Sequence, residues 1–127
     1  MTNTSRTLNY LREKGYDADI VERFLSHAGK RKDLFGFIDI VAIGEGKIIA
    51  VQSCGQTFKE HDRKITEDPE VVEKAIRWLE SGGRIMLVGW RKIKIKRGGK
   101  ALRWKPRIKE YSIKDFRMEV TDVQTNG

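Results

Sequence analysis

A chain of 127 residues and 14.7 kDa holds material for a single domain over 1–127 with one real core, not for two domains. Its 35% charged and 39% hydrophobic residues are those of a globular protein; no apolar run approaches the roughly 18–20 residues that cross a bilayer, and the polar opening MTNTSRT is not a signal peptide, so the expectation is a cytoplasmic protein with no membrane partner. The net charge of +8 is uneven: Arg84 to Arg117 carries 13 Lys or Arg against Glu110 and Asp115, a net +11, so the rest sums to −3, an asymmetry that points to a nucleic-acid partner.

In chain order, the spacing predicts a first helix over about Thr4–Lys14, with Asn3 or Thr4 as cap, Leu8 and Leu11 opening an apolar stripe, and Gly15 as its stop. Tyr16 to Phe24 reads as a strand. A polar loop follows, carrying His27, Gly29 and the successive cations Lys30, Arg31 and Lys32. Phe37 to Ile43 is a nearly continuous apolar strand interrupted by Asp39. The turn Gly44-Glu45-Gly46 returns the chain along Lys47–Gln52. Both strands are apolar on both faces, which predicts central positions covered by helices. Thr57–Ile65 reads as a short helix. A clearer one starts with Asp68 as cap and Pro69 at its first position, runs through Val72, Ala75, Ile76 and Leu79, and closes at Ser81-Gly82-Gly83.

Arg84–Lys96 and Ala101–Ile113 are expected to form a long basic β-hairpin around Gly98-Gly99. Alternation gives each strand a cationic and an apolar face, and an apolar face carrying Ile93, Ile95 and Trp104 would support a homodimer. Pro106 lacks a ladder donor and marks an edge strand. A short helical turn and a frayed end are expected after Phe116. The order of elements is that of an α/β protein with a mixed sheet flanked by helices.

Asp39 is the residue that demands an explanation, because a carboxylate in an apolar strand must be paired, protonated or bound to a cation. Gln52 is a second polar side chain at the end of the neighbouring apolar strand, and the two together make a divalent-cation pair. The competing readings are an acid paired with Arg or strand-end amides, and a satisfied core amide. Cys54, the single cysteine, excludes a disulfide scaffold. It reads as a small buried residue rather than a nucleophile, since neither His27 nor His61 lies in a partner motif. Trp90 and Trp104, flanked by cations, are candidates for contact with nucleic acid or a second subunit.

The stretch KGYDADIVERF…KDLFGFIDIVAIGEGKIIAVQSCG resembles the core of the PD-(D/E)XK nuclease superfamily, and within it the archaeal Holliday-junction resolvases and small phage and prokaryotic relatives. The resemblance covers about Thr4 to Leu79. It implies a restriction-endonuclease-like mixed sheet and a catalytic acid at Asp39 in IDIVAI. AVQSCG falls where the family has Glu-x-Lys, so Gln52 stands at the acid and Cys54 at the lysine. Gln removes a charge from the site while keeping an oxygen. Cys removes the cation, for which Lys64 or Lys32 is the better-placed substitute. The family's glutamate on its first helix has no counterpart here, and Glu22 and Asp33 are the carboxylates that would fill in.

The resemblance implies a Mg²⁺- or Mn²⁺-dependent endonuclease acting on branched or duplex DNA as a homodimer. Its metal would be held by Asp39, Gln52 and a main-chain carbonyl near Ser53. Catalysis would involve Asp39, Gln52, Glu22, Asp33 and Lys64. Backbone contacts would come from Lys30, Arg31, Lys32, Lys92, Lys94, Lys96, Arg97, Lys100, Arg103, Lys105 and Arg107. The alternative is a catalytically degenerate nucleic-acid-binding module on the same fold, supported by the missing Glu and Lys.

Overall fold

The computed structural model describes residues 1–116, and the reading of the tail after Phe116 lies outside them. The elements are α1 (Asn3–Glu13), β1 (Asp17–Ile20), β2 (Arg23–Leu25), β3 (Lys30–Lys32), β4 (Ile40–Gly44), β5 (Lys47–Cys54), α2 (Phe58–Glu67), α3 (Pro69–Glu80), β6 (Arg84–Lys94) and β7 (Leu102–Tyr111). Five strands form one mixed sheet in the order β1-β4-β5-β6-β7, while β2 and β3 pair separately. Only β5 and β6 run parallel within the large sheet, joined by the α2–α3 crossover; its other pairs are antiparallel.

Strand alternation sorts the side chains into two layers. Ile40, Ala42, Ile49, Val51, Met86 and Val88 pack with Leu8 and Leu11 of α1 on one face. Ala50, Cys54, Ile85 and Leu87 pack with Phe58 and Ile65 of α2 and Val71 and Ala75 of α3 on the other. Asp68 caps α3 through its side chain, which accepts from Glu70 N at 3.1 Å, with Pro69 at the first helical position. At α1 the cap is Thr2, whose hydroxyl accepts from Ser5 N, rather than Asn3 or Thr4.

Three departures from the expected elements position the site. The strand expected over Tyr16–Phe24 ends at Ile20, opposite Ile40, where its partner strand begins. Beyond that point Val21 N donates to Asp39 O at 2.9 Å, and the chain peels away into the β2–β3 ribbon. The strand expected from Phe37 starts only at Ile40, because Leu34 to Ile38 closes a tight turn with Phe35 and Gly36 at positive φ (55° and 83°). Leu34 N donates to Ile38 O and Ile38 N to Leu34 O, both at 3.0 Å.

The third departure concerns β6 and β7. Trp104 pairs with Lys92 and Arg103 with Ile93. Directly paired residues share a face, so the apolar positions of one strand sit beside the cations of the other. The single apolar face of Ile93, Ile95 and Trp104 expected to support a homodimer does not form. Lys92 and Trp104 share the α1 side, where the Arg6 guanidinium lies 3.6 Å from the Trp104 ring centroid. Arg103, Lys105 and Arg107 share the α2 side, where Arg107 lies 4.1 Å over Phe58. β7 is an edge strand, as Pro106 requires.

Candidate metal centre

Asp39 immediately precedes β4, is 6% exposed, and lies on the α2–α3 side of the sheet with Gln52. Its Oδ2 accepts from Ser53 N at 2.8 Å. That bond fixes the carboxyl against β5 and uses the Ser53 main-chain donor. The Ser53 hydroxyl points to the opposite face, 2.7 Å from Thr7 Oγ1. Thr7 is fully buried; its hydroxyl donates to Asn3 O at 3.0 Å and accepts from Trp90 Nε1 at 2.8 Å. This network joins α1, β5 and β6 directly behind Asp39, and sequence reasoning misses it. Its only signal there is Thr7 four residues before Leu11, on the buried stripe of α1.

The turn at Phe35-Gly36 folds Asp33 back beside Asp39, and the peeling of β1 into β2 brings Glu22 to the same place. Carboxylate oxygens of Glu22, Asp33 and Asp39 all lie within 4.8 Å of one another. Gln52, 2% exposed, reaches the cluster through a long Nε2 contact of 3.5 Å to Asp33 Oδ2. Lys64 of α2 brings its ammonium to 3.9 Å from the same oxygen. Arg31 of β3 holds Glu22 in a 2.8 Å ion pair. The side chains of Asp39, Gln52, Glu22, Asp33 and Lys64, which lie as far as 42 positions apart in sequence, therefore converge. Lys32 lines the cleft of about 650 Å³ that opens beside Asp33 and Lys64.

Lys64 and Arg31 face Asp33 and Glu22, but among the described residues Asp39 has no cation of its own against the charges of its two neighbours. Burial, a hydrogen bond with Asp33 and the charges of Asp33 and Glu22 push Asp39 up to about 8, against a smaller lowering by the Ser53 N–H. Gln52 Oε1 is a buried acceptor with no hydrogen-bond partner. An unpaired buried oxygen costs about 1–3 kcal/mol; the Nε2 end of the same amide faces Asp33, and a cation among the carboxylates would relieve their repulsion and favour the amide turned with Oε1 toward it. The donors are all oxygen, the set preferred by hard divalent cations. The acidic group can thus hold a metal ion, and the residues fit one.

Cys54 stands apart from this chemistry. Burial and, secondarily, the charge of Asp39 push its thiol up to about 11, so it remains protonated at neutral pH and packs beside Gly89. His61 Nδ1 sits 2.8 Å from Thr57 O in the first turn of α2, and His27 is exposed. Neither histidine belongs to the acidic group. Of the cations expected to bind nucleic acid, Lys30, Arg31, Lys32, Lys92, Lys94, Lys96, Arg97, Lys100, Arg103, Lys105 and Arg107 are all exposed. They fall on the β2–β3 ribbon, on both faces of the β6–β7 pair and in the turn joining its strands. No protein-family model, curated protein or solved structure matches the chain.

Proposed function

We propose that the protein is a metal-dependent endonuclease of the PD-(D/E)XK type that hydrolyses phosphodiesters in branched or duplex DNA. The observation that carries this reading is the clustering of Glu22, Asp33 and Asp39 within 4.8 Å of one another, with Gln52, whose buried Oε1 has no hydrogen-bond partner, touching Asp33. Asp39, Asp33, Glu22 and Gln52 would hold the cation, with Mg²⁺ or Mn²⁺ as the natural occupants of an all-oxygen site. Such a cation supplies charge neutralisation and polarisation of a phosphoryl oxygen.

The chain's own groups do the rest. Ser53 N–H orients the Asp39 carboxylate. The Lys64 ammonium, next to Asp33, takes the part of the missing motif lysine by opposing negative charge that builds on the phosphate. Exposed cations on β3, β6 and β7 hold the backbone without reading bases.

Asp39→Asn should lower Mg²⁺- or Mn²⁺-dependent cleavage by at least about 10²-fold, the usual scale for losing a key electrostatic group, while leaving DNA affinity nearly intact. Gln52→Glu should tighten the cation. The assay compares branched, flapped and linear DNA. A wild type that binds all three and cuts none would favour a second reading, a catalytically silent binding module. Gln52 in place of an acid and a protonated, buried Cys54 in place of a lysine are the observations on its side.

A further inference from the structure

The cleft beside the acidic cluster is lined by elements distant in sequence, and its charge is not balanced. Arg23 of β2 and Lys32 of β3 are directly paired and so share a face of their ribbon. Both line the cleft, together with Lys74 of α3. Among the described residues none of the three has an ion-pair partner. Of the acids in the lining, Asp33 faces Lys64 at 3.9 Å, and Asp68 accepts from Glu70 N as the cap of α3. That leaves Glu70 against three cations.

Phe35 belongs to the same lining. Its ring is 49% exposed, so packing returns little for it, and its backbone is held at a positive φ of 55°, a conformation unfavourable for a bulky side chain. Backbone outliers of this kind gather at ligand-binding sites. The volume, about 650 Å³, is that of a small-ligand site. A bare inorganic anion would use the cations and leave the ring idle; an uncharged apolar ligand would do the reverse. The lining therefore suits an amphipathic anion, and a nucleotide supplies both halves, a phosphate and the apolar face of a base. Asp33 belongs to the lining and to the acidic cluster alike, so a strand with one phosphate at the metal centre would set a neighbouring nucleotide in the cleft.

We propose that this cleft binds a nucleotide of the substrate strand, with its phosphate on Arg23, Lys32 and Lys74 and its sugar or base against Phe35. Arg23 and Lys74 thereby join the residues that hold nucleic acid. The inference rests on the nuclease reading for the strand that the nucleotide belongs to. Its test is one of binding and depends on neither cleavage nor a metal.

The probes are dTMP, thymidine, inorganic phosphate and a short oligothymidylate, titrated in EDTA against the isotope-labelled full chain and followed by NMR. dTMP should move the amide signals of Arg23, Lys32, Phe35 and Lys74, and thymidine at the same concentration should not. Lys74→Ala should weaken dTMP and lower the salt slope for the oligonucleotide by up to about 0.7, the value for one phosphate of a single strand. Arg77→Ala, which removes an exposed cation of the same helix outside this lining, should do neither. Phe35→Asn, which removes the ring while tolerating the positive φ, should lose roughly 5–100-fold of dTMP affinity, the range for one base–aromatic contact, with phosphate binding unchanged. The proposal is overturned if dTMP leaves the cleft signals in place, or if thymidine moves them as strongly. It also fails if Lys74→Ala and Arg77→Ala have equal effects. Nucleotide binding by a chain that cuts no DNA would leave the cleft standing and remove the nuclease; cleavage with no nucleotide in the cleft would do the opposite.

Discussion

Asp39 concentrates the functional chemistry in one residue. Its pKa is about 8 in the fold against an ordinary value of 3.8, so between those values the folded chain holds a proton that the unfolded chain has lost. Stability therefore falls as pH rises from about 4 to 8, and the contribution is fully present only below that window. A divalent cation bound there would take the place of the proton. Thermal melts with and without Mn²⁺ should show a stabilisation that grows from pH 5 to pH 8; a shift independent of pH would mean that the ion binds elsewhere. At this scale the sequence is informative in part. An acid in IDIVAI and an amide in AVQ stand out against apolar neighbours, because burying either without a partner is costly. Thr7 gives almost no signal, since its hydroxyl matters only through Ser53 and Trp90, which are distant in sequence.

The elements explain how distant acids meet. Helix α3 is legible from the sequence to the residue, because Asp68-Pro69 is a local capping signal. The turn at Phe35-Gly36 is not, because a left-handed phenylalanine has no propensity signature and the apolar run FGFIDIVAI resembles an unbroken strand. That turn carries Asp33 to Asp39. Gly36→Ala places a side chain at φ +83° with Val71 Cγ2 at 3.5 Å, so it should cost about 1–3 kcal/mol of backbone strain. Denaturant melts should register that loss, and cation affinity should fall with it as Asp33 shifts. Unchanged affinity would show that Asp33 is not a ligand. Gly89 has a comparable role between elements: a Cβ there would lie 2.6 Å from Phe58 Cδ2, so α2, and Lys64 with it, can lie close to β6 only because that position is glycine.

At the scale of the whole molecule, charge is distributed differently from the strand-by-strand expectation. Alternation along one strand is readable from sequence, but the register between two strands is set by the turn and by packing. The pairing of Lys92 with Trp104 and of Ile93 with Arg103 puts cations on both faces of the β6–β7 pair. Arg103, Lys105 and Arg107 share a face with the acidic cluster, together with Arg91 and with Lys109, which is bonded to Asp62 of α2. Reversing Arg103 and Lys105 should weaken DNA binding and lower the salt slope by up to about 0.9 for each phosphate no longer neutralised. Reversing Lys92 and Lys94, on the α1 side, should do less. Equal effects from the two pairs would show that DNA wraps the pair of strands rather than lying on one face.

A cation held by Glu22, Asp33, Asp39 and Gln52 is the central claim, and a crystal soaked in Mn²⁺ tests it most directly. An anomalous difference map should show one strong peak bonded to Asp39, to Asp33 or Glu22, and to Gln52 Oε1, at oxygen–metal distances of about 2.0–2.6 Å. The peak should be absent from crystals of Asp39→Asn. Manganese at any other position, or none at millimolar concentration with Gln52 Oε1 still unpartnered, would contradict it.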